Sequence, residues 1–279
     1  MKSSIYVALL CTAAVAVSSC NKRIYVPNQV NVPLLKEKYE FKGSVTPTNL
    51  QTAFAITDNI AIMANGQYLW GFNYADPTNS YDEDGLFRDN NTRGGLIEGA
   101  VGFFKPIGVS KKAVFDVYAG YGSGNFKTLT GNYKSDNDGT GNINLNDYVI
   151  KNRFSKVFIQ PSFGLSHRVV EAAFSSRFSL INFYDSNIGV KAFENNEQEQ
   201  TKFMRIHDKS VVFYEPAFTV RVGYKYVKFQ AQLQFSTPIN SNSFYDDTDD
   251  HNFNEYFQPV NFNMGVAINL AKWYNRTNR

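Results

Sequence analysis

The stretch YVKFQAQLQFS, Tyr226–Ser236, decides how this sequence folds. Val227, Phe229, Ala231, Leu233 and Phe235 alternate with Lys228, Gln230, Gln232 and Gln234. A β-strand sends successive side chains to opposite faces, so one face here is apolar and the other polar. In a water-soluble protein the apolar face turns to a core. In a membrane barrel it turns outward to lipid, and the polar face lines the interior. The fold therefore depends on which solvent lies against the apolar face.

The same alternation recurs along the chain. In VNFNMGVAINL, Val260, Phe262, Met264, Val266, Ile268 and Leu270 oppose Asn261, Asn263, Gly265, Ala267 and Asn269. Val157, Ile159, Pro161, Phe163 and Leu165 oppose Lys156, Gln160, Ser162 and Gly164. Phe174, Phe178 and Leu180 oppose Ser175, Arg177 and Ser179, and Phe218, Val220 and Val222 oppose Ala217, Thr219 and Arg221. Ile97, Val101 and Phe103 oppose Glu98 and Ala100, while Phe115, Val117, Ala119 and Tyr121 oppose Asp116, Tyr118 and Gly120. The pattern predicts about ten strands, at 37–45, 48–56, 59–71, 95–105, 113–126, 152–165, 169–184, 212–223, 226–237 and 257–271. Many reach the length a tilted strand needs to cross a bilayer.

Short and long connections take turns. Short links fall at 56–59, 107–113, 166–170 and 223–227, and long ones at 72–94, 127–151, 185–211 and 238–256. Tight turns at one end and long loops at the other are the layout of an outer-membrane barrel. The link TPTN, 46–49, breaks the rule by being short where a long loop is due. The polar faces carry Glu98, Asp116, Lys156, Arg177, Arg221 and Lys228. The expectation is an all-β, antiparallel, up-and-down transmembrane barrel with these groups paired across a small lumen filled by side chains. Aromatics near strand ends, Tyr68, Trp70, Tyr184, Tyr256 and Trp273, support a membrane setting. A soluble sandwich or a lipocalin-like barrel would share the alternation but bury the apolar face.

The N-terminus MKSSIYVALLCTAAVAVSSC reads as a signal peptide, with Lys2 ahead of an apolar run too short to span a bilayer. Val17-Ser18-Ser19-Cys20 resembles a bacterial lipobox, which implies cleavage before Cys20 and lipidation, including palmitate, at that residue. Cys11 leaves with the signal, so the mature chain keeps one cysteine and no intramolecular disulfide. The expected organisation is a signal peptide at 1–19, a lipid-anchored tether at 20–36 bearing Pro27 and Pro33, a barrel at 37–273 and a periplasmic tail at 274–279. Both termini are expected on the periplasmic side, and the lipid in the inner leaflet, because NKRIY after Cys20 has no acidic run of the kind surface-displayed lipoproteins of such bacteria often carry. The formal charge of +3 without a basic cluster gives no reason to expect nucleic acid as a partner.

The lipobox, the tether and KYEFKGSVTPTNLQTAFAITDNIAIMANGQYL, Lys38–Leu69, resemble outer-membrane β-barrel lipoproteins of Bacteroidetes-type bacteria. The resemblance implies a fold and a compartment, and no activity. The function expected is non-enzymatic, as an accessory or structural subunit of an outer-membrane complex for protein insertion, secretion or uptake. Its partners would be outer-membrane lipid and an outer-membrane protein. A stand-alone surface barrel whose loops bind calcium, glycan or protein is the alternative, with a narrow pore or a protease after both.

One local motif suggests a cation. DNDGTGNINLND, Asp136–Asp147, resembles an EF-hand calcium loop, with Asp136, Asp138, Thr140, Asn142, Asn144 and Asp147 at ligand spacing and Gly141 at the turn. Thr140 and Asp147 depart from the usual Asp/Asn and Glu. Otherwise no cofactor beyond the lipid on Cys20 is implied. Two further loops are acidic, around Asp82, Glu83, Asp84 and Asp89 and around Asp246, Asp247, Asp249, Asp250 and Glu255. A water-activating protease of omptin type would draw on Asp82, Asp84 and a His–Asp pair such as His207–Asp208 or His251–Asp250. A lipid A deacylase would need a Ser–His–acid set facing lipid, and His167 lies in a short periplasmic turn, the wrong end for one.

Overall fold

Alternation over most of the chain builds a single sheet. The computed structural model describes residues 23–71, 91–130, 144–193, 196–207, 209–224, 226–240 and 256–270. Its strands are β1 (Phe41–Val45), β2 (Asn49–Ala55), β3 (Ile60–Trp70), β4 (Thr92–Ile107), β5 (Ala113–Leu129), β6 (Val149–Ser166), β7 (Val170–Ile188), β8 (Ser210–Tyr224), β9 (Val227–Phe235), β10 (Thr237–Pro238) and β11 (Val260–Asn269). Each pairs antiparallel with its neighbour, from β1 through β9. β11 then pairs with both β9 and β1 and closes a barrel, while β10 adds a short extra pairing on β8. Closure leaves no long open edge. Among the described residues no helix is long and apolar enough to cross a membrane.

The apolar face points outward. Ile159 is 50 % exposed, Phe163 48 % and Leu165 54 %, whereas Lys156, Gln160, Ser175, Arg177 and Gln230 are buried. This holds over the half of the barrel nearer the short turns, a tier we call the belt. Toward the long-loop end the same strands reverse. The inward residues there are Leu96, Phe126, Ile150, Phe154, Ile181, Phe183, Val211 and Phe213, all buried in one cluster. The outward ones include the exposed Arg93, Asn125, Arg153 and Asn182. We call this tier the crown. On β7 the reversal falls between Ser179 and Ile181, and on β8 between Phe213 and Glu215. The helix Glu197–Ile206, capped by the Asn196 side chain on the Glu199 amide, adds Phe203 and Ile206 to the crown core.

The wall is uneven. β6 and β7 run 18 and 19 residues, but β1 and β2 only 5 and 7. The strand expected from residue 37 starts at Phe41 because Lys36–Glu40 is spent reversing the chain. The Lys36 amide donates to Glu40 Oε2 at 2.6 Å, and Leu34 and Tyr39 take left-handed φ values of 49° and 63°. TPTN is a tight link at the long-loop end, where Thr46 N–H donates to the Asn49 carbonyl at 2.8 Å. Tyr68, Trp70 and Tyr184 lie exposed on the outer wall, as expected of strand-end aromatics. Tyr256 does not: it is fully buried in the crown, 5.9 Å from the Phe203 ring, because the chain before β11 folds inward over the mouth.

Candidate functional site: a lumen threaded by the N-terminal segment

The lumen is filled by the chain itself. Residues 23–35, RIYVPNQVNVPLL, are all buried inside the barrel. The stretch expected to be a tether is thus a plug. Its two prolines and irregular period hide it from strand detection, since proline donates no hydrogen bond to a ladder.

A backbone inside a barrel needs partners for its N–H and C=O groups. The polar faces of the strands supply them. Gln232 accepts from Val30 N–H and donates to Val30 C=O, both at 2.8 Å, replacing a neighbouring strand with one side-chain amide. Gln51 donates to Gln29 C=O at 2.7 Å, Gln160 to Asn31 C=O at 2.7 Å and Asn261 to Pro27 C=O at 2.9 Å. Arg221 donates to Val32 C=O at 2.8 Å and Lys42 to Leu34 C=O at 2.9 Å. The Gln and Asn of the alternating strands are therefore the plug's hydrogen-bonding surface. Gly164 on β6 makes room for it, since a Cβ there would lie 2.6 Å from Leu34 Cδ2.

At mid-lumen the plug meets four buried charges. Arg177 Nε lies 2.7 Å from Glu215 Oε2 and Lys156 Nζ lies 3.2 Å from Glu98 Oε2. Cross-pairs of Arg177 with Glu98 at 3.5 Å and Lys156 with Glu215 at 3.8 Å complete the square. Two acids and two bases cancel, and all four side chains are fully shielded. Asn28 is held by three of them: its amide donates to Glu98 at 2.7 Å, Lys156 donates to its Oδ1 at 2.9 Å, and Arg177 donates to its carbonyl at 2.9 Å. Tyr25 O–H donates to Glu215 at 2.8 Å and Ser179 adds a bond to the same carboxylate at 2.6 Å.

A second cluster closes the short-turn end. Glu171 faces Lys228 at 3.0 Å, Arg221 at 3.3 Å and Lys42 at 3.7 Å, and accepts from Ser166 at 2.8 Å. Lys36 donates to the Ser166 carbonyl at 2.9 Å and Lys228 to that of His167 at 2.8 Å. A pocket of about 490 Å³ opens beside this cluster, with Lys112 and Arg168 on its rim. Cations outnumber acids here, in contrast to the balanced square above.

The expected inward charges are therefore inward: Glu98, Lys156 and Arg177 meet at mid-lumen, and Arg221 and Lys228 at the turn end. Asp116 is the exception. It is buried opposite Ser162 and makes no ion pair among the described residues, because its position on β5 lies between the two clusters. Glu215, Glu171, Tyr25 and Asn28 were missed. Glu215 and Glu171 were legible, since each continues a period already seen, Glu215-Ala217-Thr219-Arg221 and Glu171-Ala173-Ser175-Arg177.

Of the calcium motif, Asp136, Asp138, Thr140 and Asn142 lie outside the described residues. Asn144 and Asp147 are described and bond each other, Nδ2 to Oδ1 at 3.2 Å, where Asn144 caps the turn Leu145–Tyr148. Cys20, Trp273, both acidic loops, Asp208 and His251 also lie outside them, whereas His207 follows the helix and His167 sits in the β6–β7 turn. Searches by sequence match no family model and no curated protein.

Proposed function

We propose that this chain is an outer-membrane β-barrel lipoprotein that works without catalysis, as an accessory or structural subunit of a larger membrane complex. One observation carries the membrane reading: the reversal of dressing along single strands. On β7 the outward residues Phe174, Phe178 and Leu180 give way to Asn182, while the inward ones change from Ser175, Arg177 and Ser179 to Ile181 and Phe183. A protein wholly in water has no reason to turn Val157, Ile159, Phe163, Leu165, Val220 and Val222 outward around a charged interior. Their outward exposure would leave a continuous apolar girdle in water, far beyond the patches monomers tolerate. Lipid around the belt and water around the crown account for both halves.

The subunit reading rests on the plug. A lumen filled by residues 23–35 and a balanced ion square argues against passage of solute and favours the outer wall and the long-loop face as the working surfaces. Its test is purification from the outer membrane in mild detergent through a C-terminal tag, with mass spectrometry of whatever accompanies the protein in constant ratio. A fixed companion supports a subunit. A solitary barrel rejects it in favour of a stand-alone surface protein, whose loops would then be assayed for calcium and glycan.

A further inference from the structure

The direction in which residues 23–35 cross the lumen fixes where the N-terminus emerges. Arg23 sits at the long-loop mouth: its carbonyl accepts from Thr128, near the end of β5. Ile24 N–H donates to Tyr256 C=O at 2.9 Å, and Tyr25 pairs in parallel with Phe257, just before β11. Leu34 and Lys36 sit at the opposite mouth, bonded to Lys42 and to the Ser166 carbonyl at the β6–β7 turn. The chain then reverses through Lys36–Glu40 and climbs back as β1, in the wall. β11 ends at Asn269 beside Lys42, so the C-terminal strand leaves at the short-turn end. The two ends of the described chain are on opposite sides of the barrel.

Cys20 is three residues before Arg23. An extended chain gains at most about 3.6 Å per residue, so the three residues between Arg23 and a lipid on Cys20 reach no farther than roughly 11 Å from Arg23. Reaching the other mouth would require the lumen that residues 23–35 already fill. The described chain thus begins and ends at opposite mouths, where the sequence-based expectation set both termini on one side.

We infer that the barrel displays its own lipidated N-terminus on the long-loop face, with the acyl chains of Cys20 in the outer leaflet of the membrane it spans. The inference rests on the membrane and lipobox readings above, with short turns periplasmic. It gives the plug a role that a lumen filler of side chains would not have. The plug carries the anchor from the periplasmic mouth to the cell surface, and the ion square clamps it at Asn28. The lipid then adds little to retention, since a closed apolar girdle already holds the barrel. Its work is positional: it fastens the mouth of the plug to the outer-leaflet lipid and so opposes withdrawal of the segment toward the periplasm.

The test places a hydrophilic epitope between Asn21 and Lys22, and in a second protein after Arg279, each probed by antibody on intact and on lysed cells. Heat-modifiable mobility in each protein reports whether the barrel is folded. The expected result is an Asn21 epitope detected on intact cells and an Arg279 epitope detected only after lysis. Detection of the Asn21 epitope only after lysis, in a folded barrel, overturns the display. Detection of the Arg279 epitope alone on intact cells shows the barrel inverted and also overturns it. Recovery of either protein from the aqueous fraction without detergent fails the membrane reading instead, which keeps the two failures distinct. Should the inserted epitope prevent folding, Lys22→Cys labelled with a membrane-impermeant maleimide before and after lysis gives the same decision, because it is the one free thiol of a mature chain acylated at Cys20.

Discussion

The crown and the belt are built from the same strands and differ in what the wall turns outward and in where the buried charges lie. In the crown, Phe154 stacks against Phe126 at 5.8 Å, meets Tyr25 edge-on at 5.4 Å and packs against Phe183 at 6.0 Å. Arg153, one residue away, points out and pairs with Asp185 at 3.1 Å. Two residues further, Lys156 is inside and Val157 outside. The alternation runs unbroken from Phe154 to Val157, and the register shift between β6 and β7 falls before it, between Lys151 and Arg153. The fold is one barrel, and on the proposed membrane reading the solvent outside it decides which face each tier buries. The plug crosses both tiers: Ile24, Tyr25 and Val26 pack into the crown core, whereas in the belt the polar Asn28, Gln29 and Asn31 are interspersed with Val30, Val32 and Leu34, which pack on Val114 and Ala217.

The largest effects should come from emptying either interior. Phe154→Ala removes the ring that joins plug to crown and should cost about 3–5 kcal/mol, as large cavities in aromatic cores do. The check is urea unfolding in detergent, followed by loss of heat-modifiable mobility. Arg177→Leu should cost a similar ~3–5 kcal/mol for a different reason, because it leaves Glu215 and Glu98, both fully shielded from solvent, facing one cation. The comparison sharpens in the double variant. Arg177→Leu with Glu215→Leu should recover much of the loss, since removing both partners also removes the uncompensated charge. If the double variant is as damaged as the sum of the singles, the square is not acting as a balanced unit.

A smaller loss is expected where the plug is gripped. Asn28→Ala keeps the four charges paired but removes three side-chain hydrogen bonds, to Glu98, to the Gln29 carbonyl and from Lys156. About 1–3 kcal/mol follows from leaving buried groups short of a partner. Protection of the plug amides from hydrogen exchange should fall more than that of β6 and β7. Equal loss everywhere would mean that plug and wall open only together.

The alternating strands were legible because a period of two survives any choice of solvent. The ten expected segments coincide with the wall strands to within a few residues, apart from the late start of β1. The direction of the faces was legible only in the belt, where charges such as Glu98 and Arg177 mark the interior. In the crown the inward residues are Phe and Ile, and the same alternation reads as lipid-facing. The plug was not legible at all. Its backbone is satisfied by side chains from Gln51, Gln160, Gln232 and Asn261, and no pattern within residues 23–35 encodes partners so distant in sequence. Those glutamines looked like generic lumen polarity until there was a chain for them to hold.

The smallest expected effect is the one that tests the comparison most directly, because it is half of a matched pair. Ile159 in the belt and Asn182 in the crown both point outward from neighbouring strands and both are exposed. Ile159→Arg should cost about 2–4 kcal/mol if its surroundings are hydrocarbon at mid-depth. Asn182→Arg places the same side chain in water and should shift stability by no more than about 0.5 kcal/mol. In detergent micelles both values should keep their order, and in lipid vesicles the gap should widen, since a bilayer adapts less readily than a micelle to a buried guanidinium. Equal and small effects at the two positions would mean that one solvent surrounds both tiers. The reversal of the strands would then need another cause, such as a protein partner covering the belt. Equal and large effects would place the crown in lipid as well, and the boundary drawn at Ser179–Ile181 would be lost.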